Sequence, residues 1–518
     1  MATRVNLDAM IPRADFATHD DDFTMELFQN FPISNIESSS PIRSFLRKPD
    51  FQRETNHWSA QQISTFIASF LDNELIPSLI LWKSPNFIFV IDGGHRLSAL
   101  RAWMEDDYGD GSISQKFYNN EISEEQKRAA RRARKLIEDS VGRFSSLRSL
   151  VSSEGLGTDA RSKRARNLFT RALALQWVQG SASVAETSFF KINSQGTPLD
   201  DTEEMLLKNR KKSVAIGARS ILRSGTGHKY WSNFPPEKQA TIEAVSSDLY
   251  QTLFDPEMRQ PVKTLDLPLG GSVAPVDALS LLVDFLVLIN AQSSGPSTIA
   301  DYADDKSGDE TIDILKRALS VAKRISGNKP GSLGLHPAVY FYNERGKHSR
   351  FLFLAMVMLV AQNLANNNGN FFRNFTSARK ELEKFLVNNK SLIGILLQNM
   401  SKGSRVLRIK ELLSFMIDEF SAGRAVSVEQ AIIQAGGRGR VIDVTTANDA
   451  IAFSEETKSA IYIKQAILSA MKCPICDGLL DPTKSVSYDH IQRVREGGRG
   501  DISNGQMVHP YCNDAVKS

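Results

Sequence analysis

The sequence predicts an α+β, multidomain chain: an α/β N-terminal domain, a mostly α-helical middle region and a small, metal-pinned C-terminal domain. Three observations carry this. Strand-like and helix-like apolar patterns alternate before residue 215, helix-period patterns dominate from 216 to about 435, and all three cysteines fall between Cys473 and Cys512. A chain of 518 residues also exceeds what one hydrophobic core sustains. The expected divisions are an irregular acidic arm over 1–30, a first domain over 31–215, a helical coupling region over 216–440 and a terminal module with its leading helix over 441–518.

The first helix is expected after Ser59, an N-cap, because Ile63, Phe66, Ile67, Phe70 and Leu71 repeat on one helical face. Phe87 to Ile91 is a continuous apolar run stopped by Asp92-Gly93-Gly94, so it reads as a buried strand ending in a tight turn. A second helix follows with Leu97, Leu100 and Trp103 inward. Further on, Lys127, Arg128, Arg131, Arg132, Arg134 and Lys135 share a helix face opposite Ala129, Ala130, Ala133, Leu136 and Ile137. More cations cluster at Arg161, Lys163, Arg164 and Arg166, and at Lys208, Arg210, Lys211 and Lys212. Such runs are either solvated helix faces or surfaces that meet phosphates. In the middle region, Ala278 to Ile289 and Phe351 to Leu364 are apolar enough to be buried on most sides. Gly436 to Arg440 reads as a flexible joint. The last helix is expected from Ser454, with Glu455 and Glu456 in its first turn and Lys472 in its last.

Composition narrows the partners. With 41% hydrophobic and 24% charged residues the chain is ordinary globular material. The longest apolar run, Phe351 to Ala361, is far short of the roughly twenty residues a membrane span needs, so no membrane partner is expected. Asp8, Asp15, Asp20, Asp21 and Asp22 replace the basic-then-apolar pattern of a signal peptide, and a cytoplasmic location is expected. Three thiols cannot pair off, and a reducing compartment would not oxidise them. Metal ligation is the natural alternative.

The tail supplies the rest of a metal site. Cys473-x-x-Cys476 and His509-x-x-Cys512 are two short pairs separated by a long loop, the donor set and spacing of a closed tetrahedral zinc. Between them Asp489-His490 ends a strand-like segment from Val486 to Tyr488. A carboxylate beside an imidazole suits phosphodiester hydrolysis: Asp489 can hold a divalent cation such as Mg²⁺ or Mn²⁺, and neutral His490 can take a proton from water. On these residues the tail resembles the HNH endonucleases, whose ββα-metal fold carries this order of residues on a zinc-pinned scaffold. The resemblance implies that His490 is the general base and that Asp489 binds the catalytic metal. It further implies that Asn504 braces the loop carrying the histidine and that Asn513 completes the metal site. His509 stands where the family more often has cysteine. The segment 473–518 holds five Lys and Arg against six Asp and Glu, so DNA must be gripped from elsewhere in the chain.

The turn Asp92-Gly93-Gly94-His95-Arg96 places free amides and a guanidinium at a helix start, which suits a phosphate, although a plain strand-turn-helix reads the same. Gln52-Arg53 and Trp58 precede it; Phe189, Ile192-Asn193-Ser194-Gln195-Gly196-Thr197-Pro198-Leu199 and Glu203 follow. Together these resemble the ParB-like domain at the front of GmrSD-type modification-dependent restriction enzymes, over roughly residues 30 to 215. Gly94 and His95 stand where that family has a pair of glutamines. The resemblance implies a nucleotide pocket built by Arg53, Asp92, Gly93, Gly94, His95, Arg96 and Asn193, with a nucleoside triphosphate as cofactor. It also implies a DNA endonuclease of restriction or phage-defence type, acting on phage or modified DNA; a homo-oligomer is compatible with it. Two rivals stand beside that expectation: a regulatory DNA-binding protein that does not cut, and a ParB-like NTPase with the zinc tail as a targeting device. Lone histidines such as His57 and His336 are expected to be packing or surface residues.

Overall fold

Ser59 opens the helix Ala60–Leu71 with a reciprocal cap: its hydroxyl accepts from the Gln62 amide at 3.3 Å, and the Gln62 side chain accepts from the Ser59 amide at 2.9 Å. The computed structural model describes the chain apart from residues 1–3, 15, 17–26, 51, 53–54, 153–156, 196–200, 292–296, 437–451 and 517–518. It divides into two units, Met1–Arg210 with Thr226–Tyr230, and Lys211–Gly225 with Trp231–Ser518.

The first unit is built on a six-stranded mixed sheet. Its strands are β1 (Arg13–Ala14), β2 (Asn30–Pro32), β3 (Leu46–Pro49), β4 (Leu79–Lys83), β5 (Ile88–Asp92) and β6 (Ala172–Val178), in the order β1-β3-β5-β4-β6-β2. β5 is the strand predicted from the Phe87 run. It pairs parallel to β3 and antiparallel to β4. The helix Gly94–Glu105 starts directly from it, capped by Gly93 at φ +100°. A side chain at Gly93 would run into Leu79, so this position needs glycine twice over. Leu97, Leu100 and Trp103 are buried as expected.

The acidic start of the chain is not an arm throughout. Val5, Leu7, Ala9, Met10 and Ile11 join the core of the sheet, and β1 pairs with β3. Asp8 is tolerated inside because its carboxylate is answered on both oxygens. One accepts from Lys48 Nζ at 2.7 Å and the Thr55 amide at 3.0 Å, and the other accepts from Arg13. Asp15, Asp20, Asp21 and Asp22 lie outside the described residues.

The second unit packs the helices Pro236–Phe254 and Asp309–Ile325, Pro275–Asn290 and Arg350–Ala365, and Gly369–Asn388 and Arg405–Ser421 against one another. The two apolar segments read from the sequence are the Pro275 and Arg350 helices, and both are largely buried. The C-terminal module sits in this same unit as a two-stranded antiparallel sheet, β7 (Ser487–His490) and β8 (Gly505–Val508). Its leading helix, Glu455–Leu468, is capped by Ser454 as expected but stops four residues before Lys472, which instead bridges to Leu479. From residue 437 the expected glycine-arginine joint lies outside the described residues. Among the described residues no helix is long and apolar enough to cross a membrane.

Candidate metal centre

Cys473, Cys476, His509 and Cys512 are all buried, and their ligand atoms lie within 4.8 Å of one another. Local folding brings them there. The Cys473 amide donates to the Gly478 carbonyl and the Asp477 amide to the Cys473 carbonyl, which curls the first pair into a tight turn. His509 follows directly from β8, and Cys512 opens the terminal turn, where the Asn513 amide donates to the His509 carbonyl. The His509 Nδ1 sits 3.3 Å from Cys476 Sγ, and its Nε2 sits 3.0 Å from the Leu479 carbonyl. With the Leu479 carbonyl as acceptor at Nε2, Nδ1 faces the cysteines, the orientation that a metal-ligating imidazole adopts.

The donor set fits zinc. A Zn–S bond of about 2.3 Å sets tetrahedral ligand edges of about 3.8 Å, inside the observed spread. Hydrogen bonds from Cys476 and Cys512 pull the Cys473 thiol far down, whereas bonding to Cys473 pushes Cys476 up to about 11 and Cys512 higher still. Three thiols this close do not ionise together unless a cation lies between them. Burial, and then Arg379, lowers His509, which favours the neutral ring.

Asp489 and His490 close β7, whose partner β8 leads directly into His509. In the hairpin Asp489 faces Gln506 and His490 faces Gly505. Alternation along the strand puts Ser487 and Asp489 on one face and Tyr488 and His490 on the other. Gln506 Nε2 donates to Asp489 Oδ2 at 2.8 Å, and Asn513 Nδ2 donates to Ser487 Oγ at 2.8 Å, so Asn513 shares the Asp489 face. Asn504 ties down the loop that leaves His490. Its Oδ1 accepts from the Gln492 amide at 2.7 Å, and its Nδ2 donates to the carbonyls of Gln492 at 3.1 Å and Arg499 at 2.8 Å. Its backbone carbonyl accepts from the Ile491 amide. Asp489 and His490 are both half-buried. Gln506 and Asp501, whose carboxylate lies within electrostatic reach of His490, were not singled out from the sequence. The hairpin register is the signal that would have found Gln506.

In the first unit the three N-terminal motifs come together. His57 Nε2 pairs with Glu203 Oε1 at 2.7 Å, and the His95 ring lies 5.6 Å from Trp58 and 5.9 Å from His57. His57 is therefore part of this cluster and not a lone packing residue, whereas His336 is buried and caps the short helix Pro337–Tyr340. Gln52 reaches Gly94, where its side chain stands about one van der Waals contact from the position of a Cβ. Arg96 is differently placed from the expectation of a phosphate contact. One terminal nitrogen donates to Asp92 Oδ2 at 2.5 Å and the other to the carbonyls of Pro77 and Ser78. A phosphate would have to displace these partners. Arg53 and the Asn193 side chain lie outside the described residues; the Asn193 backbone belongs to the helix Ala182–Gln195.

The basic helix forms at Glu124–Ser140, burying Ala129, Ala130, Ala133 and Ile137. Arg134 is held by Asp106 and Asp110, and Lys127 by Glu124, while Arg128, Arg131, Arg132 and Lys135 are exposed.

Residues 33–210 match the family model for the N-terminal domain of the GmrSD restriction endonuclease, and residues 473–518 match the HNH endonuclease model. No curated protein and no solved structure matches the chain.

Proposed function

From a chain that fuses an N-terminal GmrSD domain to a C-terminal HNH domain, we propose a restriction-type DNA endonuclease whose HNH module hydrolyses phosphodiester bonds. What supports this reading is that Asp489 and His490 end a strand whose hairpin partner leads directly into His509 of the three-cysteine, one-histidine group, with Asn504 bracing the loop beyond His490. His490 takes a proton from the attacking water. Asp489, oriented by Gln506, and Asn513 on the same face would hold a Mg²⁺ or Mn²⁺ ion, which when bound supplies positive charge at the phosphate. Cys473, Cys476, His509 and Cys512 would hold a structural zinc that fixes the frame. Because the module itself is slightly acidic, the exposed Arg128, Arg131, Arg132 and Lys135 face supports the first unit as the place where DNA backbone is gripped.

The N-terminal domain acts as the regulator. The gathering of Gln52, His57, Trp58, Asp92, His95 and Glu203 at the start of the Gly94 helix supports a nucleotide or modified-base pocket there. Control of this kind has a physical rationale, since an ungated nuclease would cut its own host's DNA.

Supercoiled plasmid, modified and unmodified, incubated with Mg²⁺ or Mn²⁺ and with or without nucleotide tests the proposal. Wild type should nick or linearise it and His490→Ala should leave it intact. Intact plasmid with wild type under every condition would favour a DNA-binding protein without cleavage. Cleavage that survives His490→Ala would move the chemistry to the N-terminal domain.

A further inference from the structure

The helix Gly369–Asn388 carries a buried ion pair that meets the chain just after Cys476, at Gly478 and Leu479. Arg379 and Glu383 are each 2% exposed, with Arg379 Nε donating to Glu383 Oε1 at 2.7 Å. Burial alone would lower the Arg379 pKa, but Glu383 overrides it and the guanidinium is held charged. A buried ion pair is a weak source of stability, because apolar residues of the same volume do as well. What distinguishes this pair is its further contacts.

Glu383 Oε1 also accepts from the Tyr340 hydroxyl at 2.9 Å, and Oε2 accepts from the Leu479 amide at 2.7 Å. The carbonyl of the same Leu479 accepts from His509 Nε2 at 3.0 Å. Glu383 is thus linked to His509 through the single residue Leu479. Arg379 donates to the carbonyls of Leu333 and Gly334 at 2.5 and 2.8 Å, and so ties the helix to the loop on which the tail is seated. The Tyr511 amide, next to Cys512, donates to Ser332 in that same loop at 2.9 Å. Gly478, between Cys476 and Leu479, lies so close to Arg379 that a side chain there would collide with the guanidinium stem.

We propose that the Arg379–Glu383 pair is a positioning element of the metal site, and that metal occupancy and the order of the Gly369 helix are one coupled equilibrium. Glu383 fixes residue Leu479 at its amide, the Leu479 carbonyl orients the His509 ring, and the ring presents Nδ1 to the ion. By linkage the effect is reciprocal: an occupied site holds Glu383 and Arg379 in place, and an emptied site releases them. The small terminal module is then locked to the helical region through its metal as well as through its surface. This inference rests on reading the three-cysteine, one-histidine group as a zinc site.

The test uses the full-length protein loaded with zinc. In one arm, zinc transfer to a colorimetric chelator is compared between wild type and the double variant Arg379→Met, Glu383→Leu, which leaves no unpaired buried charge. A loss of zinc affinity of about 10–100-fold in a variant whose circular dichroism is unchanged is expected. In the other arm, hydrogen–deuterium exchange across residues 369–388 is followed in wild type before and after chelation, and faster exchange after zinc removal is expected. This second arm decides the matter even if the double variant fails to fold. Zinc absent from purified wild type would sink the metal reading itself. Zinc present, but with affinity and exchange both unmoved, would overturn the coupling alone.

Discussion

The two ends of the chain handle charge in opposite ways. In the first unit several of the cations singled out in the sequence are answered by acids of the same unit: Arg96 by Asp92, Arg134 by Asp106 and Asp110, Arg164 by Asp72, and Arg210 by Asp50 and Glu186. In the C-terminal module the four buried donors gather with one another, while Asp489 and His490 end β7 half-buried. The difference separates a motif's identity from its availability. A guanidinium in a phosphate-like turn is chemically present only if the fold has not already engaged it.

The largest effect is expected at the metal group. Replacing Cys476 with serine should reduce zinc from about one ion per chain to little or none and abolish plasmid cleavage. It should also lower the melting of the second unit while the first melts as before. Zinc retained at full stoichiometry would place the metal elsewhere. Next comes His490→Ala, which should slow cleavage about 10²–10⁴-fold with zinc content and melting unchanged, as measured by plasmid nicking alongside metal analysis. A variant that also sheds zinc would show the two layers of the site to be inseparable. Asn504→Ala removes three side-chain hydrogen bonds from the loop beyond His490. A rate loss of about 10²-fold, without loss of zinc, is expected from misplacement of the base. Arg96→Ala sharpens the other side of the comparison. Because its guanidinium bonds Asp92, Pro77 and Ser78, the substitution should cost about 1–3 kcal/mol in urea unfolding of the first unit, with only secondary effects on a bound nucleotide. Full stability with lost nucleotide binding would restore Arg96 as a ligand contact.

What the sequence revealed follows the range of the interactions involved. The Ser59 and Ser454 caps, the Phe87 strand and the Cys473-Cys476 and His509-Cys512 pairs were legible because their partners lie within a few residues or repeat a known spacing. The buried start of the chain was not, because what admits Asp8 to the core is Lys48, forty residues away. Glu383 was invisible for the same reason, its meaning resting on the Leu479 amide in a distant segment. His57 looked like a lone ring until Glu203 and His95 came beside it. Charge runs were the least informative, since whether Arg134 or Arg131 faces solvent depends on acids contributed by another loop.

The last test concerns acid, and it asks whether a half-buried neutral ring in the second unit sets the decline of stability at low pH. His348 sits with Nε2 2.8 Å from the Leu269 carbonyl and its ring against Tyr342 and Phe353. Burial pushes it down to about 4, from an ordinary value near 6.5. The folded pKa lies below the unfolded one, so on acidification the unfolded chain takes the proton first. This group therefore favours unfolding increasingly as pH falls from about 6.5 to about 4, and adds nothing further below that. The slope is at most about 1.4 kcal/mol per pH unit. His348→Gln keeps a donor for the Leu269 carbonyl and does not titrate. Urea unfolding at intervals between pH 7.5 and 4 should give a shallower decline for this variant than for wild type, with the two curves parallel above pH 7. Parallel curves through the whole range would mean that another group, His336 being the next buried neutral ring, governs the acid limb.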